Sequence, residues 1–168
     1  PHHLFLNVYA VDVSTKPEEP PFGKAEISAF VTDRALITVR KAPSDTAKFV
    51  DRWDVSARLR EMRGIAFLLY GLLDVVVDGH VGAARQLDVA MDGVEDILLE
   101  EGGAPREVRM HGQRLRKQVA GLRRAVAPMP DLVAQAMRLD LELVDEHLMP
   151  YFRDVEDHAQ HADDQVDH

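Results

Sequence analysis

The chain has 168 residues, 46% of them hydrophobic, enough for one domain or a domain with an appendage around a real core. Its net charge of -9 argues against a nucleic-acid partner and for cations or basic surfaces. It has no cysteine, which excludes disulfides and thiolate metal sites.

Leu4–Val13 is rich in Leu, Val, Phe and Tyr and reads as a strand. Apolar residues fill both of its phases, so a central place in a sheet is expected. Ser14–Gly23 holds three prolines, which remove ladder donors, and reads as a loop. Ala25–Thr32 alternates with period two, Asp33-Arg34 is a short turn, and Ala35–Arg40 is a β-branched strand. The short connection makes these two strands an antiparallel hairpin.

Helical periodicity then takes over. Ser44 or Asp45 can cap a short helix through Trp53, and Ser56 can cap a longer one from about Ala57 to Asp78. In the longer helix Ile65, Leu68, Leu69, Leu72, Leu73 and Val76 keep the spacing of a buried face. Gly79 and Gly82 are expected to bend or break it, and Leu87–Glu101 reads as an acidic helix beyond them. Gly102-Gly103-Ala104-Pro105 is a stop, and Arg106–Arg124 is a basic helix. An acidic helix joined by a short loop to a basic one predicts an antiparallel pair with surface ion pairs. Pro128 and Pro130 end the second arm, Asp131–His147 is an amphipathic helix, Pro150 interrupts, and a last helix runs to the end. No run of about 18 apolar residues is seen, so no segment is expected to span a membrane as it stands. The chain opens at Pro1 and its last helix stops without a cap, so further residues are expected at both ends.

The last helix carries the chemistry. Asp154, Asp157, His158 and His161 recur three or four residues apart and share one face. Carboxylates and imidazoles on one face attract cations, but one helix offers too few ligands to enclose a metal. A second carboxylate-bearing surface is needed. Asp74 falls inside an apolar helix face, where a bare carboxylate is costly unless it is hydrated, metal-bound or paired with an arginine. Tyr70 and Trp53 read as packing residues. A metal-dependent hydrolase finds no support: there is no nucleophile arrangement, no phosphate loop and no His-x-x-x-His pair with a general base. A purely structural oligomerisation module is the other alternative.

Three stretches resemble the cytoplasmic part of CorA-type magnesium transporters: Ile27–Val31 with Leu36–Arg40, Phe67–Asp74 with Val77-Asp78, and Pro150–His158. The resemblance implies an α/β fold. A small, mostly antiparallel sheet flanked by helices occupies residues 1–79, a helical hairpin and following helix 80–147, and the start of a long stalk helix 148–168. It implies no enzyme but a homopentamer that transports magnesium, and cobalt with it, across the cell (inner) membrane, this portion facing the cytoplasm. Magnesium held between subunits closes the pore, and the membrane helices lie beyond this sequence. By position, Asp154 matches the stalk aspartate of the intersubunit site and Asp74 an aspartate of an adjacent one, with Asp157 and His158 close by. The opposing carboxylates belong to an N-terminal portion that is not in this sequence. The histidines keep zinc open as an alternative ion, since imidazole suits it better than magnesium.

Overall fold

A computed structural model of the chain describes residues 3–13, 22–41, 47–55, 64–99, 105–138 and 146–167. Three strands come first: β1 (Leu4–Val13), β2 (Phe22–Val31) and β3 (Leu36–Arg40). They form one antiparallel sheet in the order β1-β2-β3. Thr32 closes the β2–β3 turn: its hydroxyl accepts from the Ala35 N–H at 2.9 Å, and its own N–H donates to the Ala35 carbonyl at 2.9 Å. The hairpin read from the sequence is therefore present, tied by a threonine just ahead of Asp33-Arg34.

The central strand is β2, not Leu4–Val13. Among the described residues β1 pairs with β2 alone, in a register from Leu4↔Val31 to Val13↔Phe22. The two apolar phases of β1 have another cause. Leu6 and Val8 point into the core, and Phe5 points the other way, its ring 4.8 Å from that of Phe30 on the neighbouring strand. Period two therefore gives the sheet one buried face (Leu6, Val8, Ala25, Ile27, Ala29, Val31) and one exposed face holding Phe5, Phe30, Ile37 and Val39.

Among the described residues five helices follow: α1 (Ala47–Val55), α2 (Ile65–Leu99), α3 (Arg106–Val126), α4 (Met129–Arg138) and α5 (Met149–Asp167). The expected caps Ser44, Asp45 and Ser56, most of the first loop and the Gly102–Ala104 stop lie outside the described residues. Phe22 and Gly23, read as loop, already belong to β2. Pro130 and Pro150 each occupy the second position of a helix, where a missing N–H costs nothing.

The largest departure from the sequence reading is α2. It runs for 35 residues, about 52 Å, with no break at Gly79 or Gly82. Each mid-helix glycine costs roughly 1 kcal/mol relative to alanine. That cost is offset by burial on both sides, with Val76, Val77 and His80 before Gly82 and Ala83, Ala84 and Leu87 after it. By length and composition α2 could cross a membrane, but 61% of its most apolar window is buried inside this fold. It is the wall shared by two cores. One joins the sheet, α1, α4 and the start of α5 to the first half of α2; the other joins α3 and the end of α5 to its second half. α2 and α3 make the expected hairpin, with Gly112 letting α3 approach the side chain of Val94.

Candidate functional site

Helix α5 buries Phe152, Val155, Ala159, Ala162 and Val166, spaced three and four apart. That choice of face turns Asp154, Asp157, His158 and His161 outward, and all four are exposed. The Asp154 carboxylate is 66% exposed and lies 3.9 Å from the His158 ring, one helical turn on. Near its start α5 is held against α2 by aromatic edges: Tyr70 packs 5.7 Å from Tyr151 and 6.0 Å from Phe152, centroid to centroid.

Asp74 sits one turn beyond Tyr70 on α2, and its side chain is only 7% exposed. The Tyr70 hydroxyl donates to Asp74 Oδ2 at 3.4 Å, a long contact. The main partner comes from α1. Arg52 Nη1 donates to Asp74 Oδ2 at 2.8 Å and Arg52 Nη2 to Asp78 Oδ2 at 2.5 Å, so one planar guanidinium spans two carboxylates a turn apart. Next to Arg52, Trp53 packs its indole against Gly71, and its indole N–H donates to the Leu68 carbonyl at 3.2 Å. A side chain at residue 71 would occupy the same space as the indole.

The electrostatics follow from this packing. Burial pushes the Asp74 carboxyl above the ordinary aspartate range, against the pull of Arg52. Burial also pushes the Tyr70 phenol well above its ordinary value, and the charge of Asp74 adds to that. For Arg52, burial pulls down, but Asp74 and Asp78 together more than offset it and raise the guanidinium. The charge of His158 is felt at Asp74 and that of Asp154 at Tyr70, so the outward face of α5 and the buried acid of α2 share one neighbourhood.

The donors there are hard oxygens, the type magnesium prefers. Their number within one copy falls short. Among the described residues no three His, Asp or Glu side chains gather closely enough to hold a metal ion. Asp154, Asp157 and His158 line a surface on which a hydrated cation could rest against a second surface, while Asp74 stands behind it with Arg52 already on its carboxylate.

Two residues of this region were not singled out from the sequence. Arg52 carried no signal beyond its place just before Trp53. His80 did carry one, since it continues the buried spacing of Leu73, Val76 and Val77. It is fully buried, with Nε2 at 2.7 Å from the Tyr9 carbonyl of β1, which makes Nε2 the protonated nitrogen and leaves Nδ1 without a partner among the described residues.

The model of the CorA-like Mg2+ transporter family matches residues 1–168. The cobalt/magnesium transport protein CorA of Thermotoga maritima is 30% identical over 119 residues, covering 67% of this chain and 33% of that protein. The soluble domain of CorA from Methanocaldococcus jannaschii superposes with a TM-score of 0.72 at 20% identity, covering 97% of this chain and 63% of that one. The complete CorA magnesium transporter of the same organism gives 0.73 at 20% identity, covering 98% and 50%. The full-length CmaX protein gives 0.73 at 20% identity, covering 98% and 49%. The solved structures establish the shared fold. The chain spans a third of the curated relative it matches and between about half and two thirds of these structures.

Proposed function

Because the chain belongs to the CorA-like Mg2+ transporter family, we propose that it is the cytoplasmic, ion-sensing portion of a divalent cation transporter. In this reading the whole protein moves magnesium, and cobalt with it, across the cell (inner) membrane as a homopentamer. Magnesium binding between subunits closes the pore. The observation that carries the reading is the outward face of α5: Asp154, Asp157 and His158 are exposed on a helix whose opposite face is fixed in the core.

The physical logic needs two copies. Carboxylates that face each other across a subunit boundary repel, and a cation between them removes the repulsion and favours the closed arrangement. Residues that hold the ion through its waters give a weak site, which suits a sensor that must empty when the ion is scarce. Asp154 and Asp157 supply the negative charge in this scheme. His158 adds a nitrogen that a zinc ion would use better than magnesium, and Asp74 deepens the negative potential behind them.

The test is Asp154→Ala combined with Asp157→Ala in the full-length transporter, reading inhibition of current by cytoplasmic magnesium. Sensing through this face predicts at least a tenfold weaker inhibition, with unchanged fold by circular dichroism. Inhibition unchanged within twofold would remove these residues from the sensor. Calorimetry with magnesium, cobalt and zinc chlorides distinguishes the ions. Nanomolar zinc binding with no millimolar magnesium response would favour a zinc transporter. Assembly and protease resistance indifferent to every ion would favour a purely structural oligomerisation module.

A further inference from the structure

We propose that the α2–α3 hairpin is a ring-forming contact: the basic face of α3 in one copy docks on the acidic face of α2 in the next. The inference rests on the homo-oligomer reading above and adds a contact between neighbours that needs no divalent ion.

Three observations carry it. First, α3 is a cationic island. Its 21 residues hold seven Arg and Lys against one Glu, a net charge of +6. The whole chain stands at -9, so taking away the +6 of α3 leaves the remainder at -15. An acidic surface is what α3 fits, and a second copy of this chain offers one.

Second, the two helices of the hairpin do not neutralise each other. Among the described residues no ion pair joins α2 to α3. Arg106, Arg116 and Lys117 are exposed on α3, and Asp88, Asp92, Glu95 and Asp96 are exposed on α2. On each helix these residues fall within about 100° of the surface, so they form two stripes. The hairpin contact itself is apolar, with Leu87 and Val94 of α2 and Leu115 and Leu122 of α3 in the second core. The end of α5 shares that core, so α2 and α3 turn their charged faces to different flanks.

Third, the heights match. Gly112 of α3 meets Val94 of α2, and antiparallel helices each rise about 1.5 Å per residue. Arg116 and Lys117 therefore stand about level with residues 89 and 90, between Asp88 and Asp92. A rotation axis running along the hairpin carries each copy to the next at constant height, so the cations of one copy meet the acids of the other. Such head-to-tail contacts close into rings. A contact of α3 on α3 would set like charge on like. Leu99 and Val89 of α2 and Met110 of α3, 83%, 66% and 57% exposed, lie on or beside the stripes and gain cover in the ring. The contact holds neighbours together while the α5 face fills and empties.

The sequence has no cysteine, so introduced ones report the contact. Lys117→Cys with Asp88→Cys is made in the full-length protein in phosphatidylcholine liposomes and treated with a short bis-maleimide. The unaltered full-length protein, treated alike, is the blank. The ring predicts a ladder of linked subunits beyond the dimer, from the pair and from neither cysteine alone. Arg106→Glu with Arg116→Glu in that background lowers the ladder at least tenfold, and adding Asp92→Lys with Asp96→Lys restores it. Sodium chloride at about 1 M, where charges are screened beyond roughly 3 Å, lowers it too. EDTA leaves it unchanged. No ladder from the pair, a ladder from Lys117→Cys alone, one that EDTA abolishes, or a charge swap that restores nothing overturns the docking. A ladder lost when phosphatidylglycerol is added to the liposomes assigns α3 to an anionic bilayer and overturns it as well. Any of these with magnesium inhibition of current intact leaves the sensor reading standing. A full-length protein that is monomeric by light scattering overturns both.

Discussion

Replacing Arg52 by methionine tests whether the acid on α2 depends on α1. The substitution keeps an aliphatic side chain of similar length and deletes the guanidinium. Two unit charges about 4 Å apart in a partly solvated site attract by roughly 4 kcal/mol. The loss of stability is smaller, because the arginine regains its hydration in the unfolded chain. Removing one partner of a fully buried pair costs about 3–5 kcal/mol. With Arg52 41% exposed and Asp74 7% exposed, a discounted loss of about 2–3 kcal/mol is expected at pH 8. The loss has a pH signature. Burial already raises the Asp74 carboxyl, and without Arg52 it rises further. A carboxyl whose folded value lies above its unfolded value stabilises the fold in acid, and that contribution disappears as pH climbs through the folded value. The variant is therefore hurt most at pH 8 and least near pH 5. Asp74→Asn added to Arg52→Met removes the stranded charge and recovers most of the loss. Urea unfolding followed by Trp53 emission measures all three chains at both pH values. A loss below about 0.5 kcal/mol at pH 8, or one that does not shrink in acid, would show that the pair contributes no more than an exposed ion pair does.

Other consequences are shorter to state. Gly71→Ala puts a methyl group where the Trp53 indole lies, so it should red-shift the emission and destabilise the fold by about 1–3 kcal/mol, read by the same unfolding curve. Burial holds the His80 imidazole below its ordinary value of 6.5. The unfolded chain therefore takes up a proton that the fold refuses, and stability declines as pH falls below about 6.5, by at most about 1.4 kcal/mol per unit. His80→Gln should flatten that decline in melting experiments between pH 7 and pH 5; a slope unchanged by the substitution would clear His80 of the effect. Leu73→Ala, at a fully buried position of α2, should cost about 2–5 kcal/mol by urea unfolding. Val39→Thr on the exposed sheet face should stay within about 0.5 kcal/mol by the same assay.

The strands, the β2–β3 hairpin, the paired acidic and basic helices and the outward face of α5 were legible because each rests on a local period. What was not legible came from contacts between distant segments. Gly79 and Gly82 are helix-weakening residues in any local reading; only the two cores that α2 joins show why the helix continues through them. Leu4–Val13 looked central because a strand's apolar outer residue cannot be told from a core residue until Phe30 is seen beside Phe5. The environment of Asp74 was posed correctly as a choice between metal, water and arginine. Its partner stands 22 residues earlier in a separate helix, and no spacing rule links the two.

These failures share a cause that bears on the site itself. Asp74 lies in the half of α2 that packs on α1 and the sheet, and the face of α5 lies on the opposite partner of that same half, with Tyr70 between them. Both contacts are made by the same 35-residue helix. Displacing Arg52 changes the charge behind Asp154, and fixing a cation at Asp154 changes the field in which Arg52 and Asp74 pair. By linkage the two effects are equal in free energy, so an ion that weakens the Arg52–Asp74 pair must bind less tightly while that pair is intact. A measured magnesium affinity that is the same for Arg52→Met and the unaltered protein would therefore refute the coupling, even if each site behaved as argued when taken alone.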